Sequence, residues 1–177
     1  MIYDLVDGKD SILKTTCVPF DFSNPQIDPQ ELADNLKESM IKHNGVGLSA
    51  CQVGYPLRVF AVGNPQDPDN IIVMFNPRIV DESGDMVLME EGCLSYPGLF
   101  IKIKRRERIR LRHADATGNI ITQVYDGIPA RIILHEYDHL DGITYHTRAS
   151  QYHIEQAKRQ KKKLDKIRKR NQNKLSI

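Results

Sequence analysis

The stretch LHEYDHLDG, residues 134–142, decides how the rest of the chain is read. His135 and His139 stand four positions apart, with Glu136 between them. On a helix that spacing is one turn, so both imidazoles share a face and can converge on one ion. A carboxylate beside them is placed to handle the proton of a water held there. In an arbitrary sequence, surface or core histidines occur at this spacing as readily as ligands do. The apolar neighbours Ile132, Ile133, Leu134 and Leu140 tilt the balance toward a buried helix that carries a metal site.

That helix is expected to begin near Asp126-Gly127, with Pro129 inside its first turn, where the missing N–H is harmless. Ile128, Ile132 and His135 fall roughly on one face. An earlier helix is expected from Asp28: Asp28 can cap, Pro29 suits the first helical position and Glu31 completes a capping box. Leu32, Leu36, Met40 and Ile41 follow with helical spacing, and Asn44-Gly45 ends the run.

Between the helices the chain reads as strands. LRVFAV (57–62), IIVMFNPRIV (71–80) and DMVLME (85–90) are rich in apolar residues and punctuated by Gly-Asn-Pro, Asp-Pro-Asp-Asn and Ser-Gly turns. FIKIKRRERIRLRH (100–113) alternates apolar and basic residues, as a strand with one wet face does. NIITQVY (119–125) follows a Thr-Gly turn and pairs plausibly with it. A third helical segment, from about 150 to 170, is too polar to pack all round. There is no internal repeat and no long linker, so the fold class is α+β, one domain with a basic appendage.

The third ligand is the open question. Metzincins carry a further histidine six residues past the second; that position is Tyr145 here, and His146 misses by one. A downstream glutamate is the other protease solution, but the only Glu after Glu136 is Glu155, which opens the basic tail. Upstream, EEGCLSYPG (90–98) presents Cys93 directly behind a strand. One thiolate and two imidazoles make a sensible set for zinc or another first-row divalent ion, with a position left for water. A lone cysteine is otherwise a small buried hydrophobe.

Composition sets the limits. The 177 residues are 40% hydrophobic and 27% charged, which suits a soluble globular domain. The longest plain apolar run, Ile71–Phe75, falls far short of the ~20 residues of a membrane helix. MIYDLVDGKD at the start lacks the basic and apolar pattern of a signal peptide. Cys17, Cys51 and Cys93 form no disulfide framework and suit a reducing compartment. A cytoplasmic protein is expected, of bacterial, organellar or viral origin. Residues 151–177 hold ten Lys and Arg against Glu155 and Asp165, a net +8, leaving −6 for residues 1–150 of a chain whose total is +2. So basic a tail suggests a polyanionic partner.

GVGLSACQ (45–52), EGCLS (91–95) and HEYDHLDG (135–142) together resemble, in order and spacing, the three motifs of peptide deformylases. The likeness covers roughly residues 1–148, leaving 149–177 as a basic C-terminal helix. It implies highly twisted, mostly antiparallel sheets around a central HExxH helix, with N- and C-terminal helices. It implies removal of the formyl group from the N-terminal formyl-methionine of nascent polypeptides, releasing formate. Cys93, His135 and His139 would hold one divalent ion, commonly Fe(II) in the family, with zinc, nickel or cobalt able to occupy the site.

By the same resemblance Glu136 would be the general base. The Gln52 amide and the Leu94 N–H would receive the developing oxyanion. Gly45, Val46 and Gly47, with Met89, Glu91 and Gly92, would border the substrate. Val46, Met89, Ile128 and Ile132 would line the methionine pocket, although ordinary core is the plainer reading of these apolar positions. Glu91 is also expected to pair with Arg105 and brace the cysteine loop. Two positions depart from the family pattern: Leu134 stands where Gln is usual before HExxH, and Phe100 where many bacterial members have Arg. In bacterial members a C-terminal helix can dock on the ribosome, and a +8 segment suits ribosomal RNA or protein near the exit tunnel. No DNA or membrane partner is expected, and the chain is expected to be a monomer. A metallopeptidase and an idle ribosome- or RNA-binding protein are the competing readings.

Overall fold

The computed structural model describes residues 1–175, with side chains described through Asn171. The side chain of Lys174, the last cation of the basic segment, lies outside the described part, as do Ser176 and Ile177. The main elements are α1 (Pro29–Lys42), β1 (Gly47–Ser49), β2 (Val59–Val62), β3 (Ile72–Glu91), β4 (Ile101–Ala114), β5 (Ile120–Asp126), α2 (Gly127–Leu140) and α3 (Gln151–Leu175). The strands form one antiparallel sheet in the order β1-β2-β3-β4-β5.

α1 begins as its sequence indicates. Asp28 Oδ1 accepts the Glu31 N–H at 2.9 Å, and Pro29 occupies the first turn. Leu32, Leu36 and Met40 make the buried stripe, packed against Leu48, Val59, Ala61 and Phe75. The helix runs out at His43, and Asn44 turns the chain at φ 53 toward β1.

β3 differs from expectation. Ser83-Gly84 does not close a turn; β3 runs through it as one 20-residue strand. Gly84 takes φ 75 at a register shift between Ser83 and Met86, so the irregularity is a bulge that bends the strand. The hairpin with β4 closes later, after the Glu91–Ile101 pair, and its loop is Gly92–Phe100. That loop carries Cys93. β4 buries Ile101, Ile103, Arg105, Ile109, Leu111 and His113 and exposes the intervening cations, a period of two.

α2 packs against the sheet, in contact with β1, β2, β4 and β5. Ala130, Ile133, Leu134 and Leu140 pack with Phe60, Met74, Ile109, Leu111 and Tyr125. Leu134 is thus accounted for by packing. A third, smaller cluster joins Ile101, Ile103, Tyr145 and Ala157, and it docks the first turns of α3 on β4. Beyond those turns α3 is almost wholly exposed. Among the described residues no helix is long and apolar enough to cross a membrane.

Candidate metal centre and active site

Three elements bring the chemistry together: the β3–β4 loop, α2, and the segment from β1 into the short turn Ala50–Val53. Among the described residues one group of three His, Cys, Asp or Glu side chains could hold a metal ion, Cys93, His135 and His139, with ligand atoms all within 4.8 Å of one another. Cys93 Sγ lies 3.3 Å from His139 Nε2. His135 Nδ1 lies 3.0 Å from Glu91 Oε2, which leaves its Nε2 for the cluster. His135 and His139 are 7% and 1% exposed.

The donor set fits a divalent cation. A thiolate and two imidazoles are ordinary ligands of first-row metals, and a tetrahedral ion needs its donors a little over 3 Å apart, at about the Cys93–His139 separation. The local electrostatics favour one positive charge. Burial works against a charged His135, yet hydrogen bonds with Cys93 and Glu91 and the nearby Glu136 carboxylate lift it to about 10. His139 goes the other way, down to about 3, through burial and then repulsion from His135 and Arg105. One bound cation would take the place of the His135 proton and leave both rings neutral beside the Cys93 sulfur.

A buried ion-pair network holds this geometry. Arg105 donates from Nε and Nη2 to Glu91 at 2.7 and 2.9 Å, and from Nη1 to Asp138 Oδ2 at 2.7 Å. Arg131 donates to Glu91 at 3.0 Å, and Arg148 closes the far end on Asp138 at 2.7 Å. Desolvation alone would raise the Glu91 carboxyl, but its hydrogen bonds with His135 and Arg105 hold it down at about 2. The expected Glu91–Arg105 pair is present, and the carboxylate is shared with two further donors.

Glu136 is 4% exposed, and its Oε2 accepts from Ser49 Oγ at 2.7 Å. Burial pushes its carboxyl above the ordinary range, with the His135 charge and the Ser49 hydroxyl pulling the other way. A Cβ on Gly47 would stand 2.8 Å from the Glu136 Cδ, so any larger residue there would have to displace the carboxyl. Gln52 Oε1 accepts the Ser49 N–H at 2.8 Å, which turns its amide nitrogen toward Cys93 Sγ and Ser95 Oγ at 3.5 and 3.1 Å. The Leu94 N–H makes no hydrogen bond among the described residues.

These groups open on a cleft of roughly 460 Å³. Gly45, Val46, Gly47, Met89, Glu91, Gly92, Leu94, Ile128 and Ile132 all line it, with Gln52, Cys93, His135 and Glu136; His139 sits behind. Phe100 adds an apolar wall over Gly92, where a Cβ would meet the ring at 2.6 Å. Sequence reading missed Ser49, Ser95, Arg131, Asp138 and Arg148. Arg131 and Asp138 sit on the α2 helix with the histidines, and one arginine buried among apolar residues was a usable signal. Ser49, Ser95 and Asp138 lie inside the three motifs, where their place in the pattern was the signal, and Arg148 carried none.

The alternative third ligands do not reach. Tyr145 is buried and donates its hydroxyl to the Leu99 carbonyl at 2.8 Å. Glu155 is exposed on α3 and faces Arg159 at 3.9 Å. Cys17 and Cys51 are buried core, each directing its thiol at the His139 carbonyl.

A family model described as polypeptide deformylase matches residues 2–155. The peptide deformylase of Desulforudis audaxviator is 38% identical over 149 residues, 84% of this chain and 94% of that protein. A class I type b peptide deformylase from Acinetobacter baumannii, solved with Met-Ala-Ser bound, superposes with a TM-score of 0.76 at 35% identity, covering 84% of this chain and 98% of that one. The peptide deformylase of Synechococcus elongatus in complex with actinonin gives 0.82 at 28% identity, over 90% and 87% of the two chains. A cysteine from a hairpin loop meeting two histidines of a central helix, in a chain matched along most of its length, makes this protein a member of the polypeptide deformylase family.

Proposed function

We propose how this chain's residues divide the labour of deformylation. The enzyme hydrolyses the N-formyl amide of nascent formylated peptides and depends on a metal, as its family does. Cys93, His135 and His139 are the residues to hold the ion, which when bound supplies Lewis acidity toward the formyl carbonyl and water. Fe(II) is our assignment in the cell; zinc, nickel and cobalt suit the same donors. Glu136 takes the proton of the attacking water and returns it to the departing amine. Its elevated pKa supports this, because a carboxylate raised above its ordinary range is a better base near neutrality. The Gln52 amide and the Leu94 N–H receive the negative charge that develops on the formyl oxygen.

The formyl-methionine side chain enters among Val46, Met89, Ile128 and Ile132, and Gly45 and Gly47 let the peptide backbone lie close. Gly92 leaves room under Phe100. Glu91 borders the cleft but has its carboxylate committed to Arg105, Arg131 and His135, so its part is to fix the His135 ring. Residues 1–148 carry the chemistry. Residues 149–177 are the appendage, whose outer turns are read as a docking segment for the ribosome. A cytoplasmic monomer fits these assignments.

The single observation that carries the reading is the Cys93–His135–His139 cluster beside a buried Glu136. Formyl-Met-Ala-Ser is the natural probe, since a related structure holds Met-Ala-Ser. Anaerobic, metal-loaded protein should release formate from it. Glu136→Ala should keep its metal and lose turnover by about 10²–10⁴-fold. Cleavage at an internal peptide bond, or an active Glu136→Ala variant, would overturn the assignment.

A further inference from the structure

The outer face of β4 carries a row of exposed cations. Lys102, Lys104, Arg106, Arg108, Arg110 and Arg112 occupy alternate positions of one strand, and all are exposed. Successive members are roughly 6.6–6.8 Å apart, from the rise of a strand. That is inside the Debye length of about 8 Å at physiological salt, so they repel one another. Arg78 of β3 adds to this, because it pairs directly opposite Arg112. Like charges facing each other across strands are destabilising.

The acids nearby do not neutralise the stripe. Arg108 is paired with Asp126 at 2.6 Å, and Arg106 donates to the Gly84 carbonyl. Asp81 stands opposite Arg110 and Glu90 opposite Lys102, both at the margin on β3. Arg78, Lys102, Lys104, Arg110 and Arg112 form no ion pair among the described residues. Exposed apolar side chains flank them: Met86 and Leu88 on β3, Val124 on β5.

We propose that this face is a docking surface for the phosphate backbone of RNA. The stripe is one strand wide with acids along its edges, which matches a linear polyanion and not a planar anionic bilayer. The flanking Met86, Leu88 and Val124 give ribose and base surfaces something to lie against. The surface begins beside the cleft, since Lys102 pairs opposite the lining residue Glu90. It belongs to a different element from the basic α3 and acts independently of it.

The test uses the full chain with α3 intact and a labelled short single-stranded RNA, read by fluorescence anisotropy across a salt series. Lys102→Gln, Lys104→Gln, Arg110→Gln and Arg112→Gln combined should weaken binding at least roughly tenfold at low salt and cut the log–log salt slope by about 3. Formate release from formyl-Met-Ala-Ser should be unchanged, which also shows that the variant is folded. Asp81→Asn alone, which removes the acid opposite Arg110, should tighten binding. Unchanged RNA affinity in the quadruple variant overturns the proposal, as does unchanged affinity in Asp81→Asn. Loss of binding to phosphatidylserine vesicles with RNA binding intact overturns it in favour of a membrane surface.

Discussion

Glycine 47 and Glu136 illustrate how little room the site leaves at the residue scale. The backbone of β1 passes so close to the Glu136 carboxyl that a methyl group cannot enter without displacing it. Gly47→Ala should therefore bind metal normally and lose kcat/KM on the order of a hundredfold, the usual penalty of about an ångström of misplacement. Unaltered kinetics would show that the carboxylate has freedom to move. Glu91 carries a different signature. Its folded pKa of about 2 lies below the ordinary 4.5, because hydrogen bonds with His135 and Arg105 outweigh desolvation. The unfolded chain takes up this proton first as the pH drops. The stabilisation is thus complete above 4.5 and is lost as the pH falls toward 2. Denaturant midpoints of the metal-free protein should decline through that window. Glu91→Gln should start lower and decline less.

At the scale of elements, most of the helices and strands were legible because their signals are local. Asp28-Pro29 and Asn44 bracket α1, and the period of two over 101–113 is the alternation of β4. The Ser83-Gly84 turn was misread because a glycine with positive φ serves a bulge as well as a hairpin; only the β4 register distinguishes them. β1 was hidden for the opposite reason: three residues are too few to show a period. At the site, the three motifs announced the ligands and the base, whereas Ser49, Asp138 and Arg148 act through contacts distant in sequence. For α3, the structure separates a docked start, held by Ile154 and Ala157, from an exposed basic remainder. Truncation after Lys161 should leave formyl-peptide turnover intact and reduce the salt-sensitive part of ribosome binding in a sedimentation assay. Full, salt-sensitive binding by the truncated chain would remove α3 from that role.

Across the whole molecule, the fold does one thing for the chemistry: it brings a loop and a helix, 42 positions apart from Cys93 to His135, to a common point. The sheet holds the loop, because β3 and β4 pair up to Glu91 and Ile101 at its base. The core under α2 holds the histidines, and the Arg148–Asp138–Arg105–Glu91 chain ties the two together. X-ray absorption at the metal edge of the zinc-loaded protein examines that meeting point directly. One sulfur at about 2.3 Å and two imidazole nitrogens at about 2.0–2.1 Å are expected, with the sulfur gone in Cys93→Ser. A wild-type spectrum with no sulfur scatterer would contradict it.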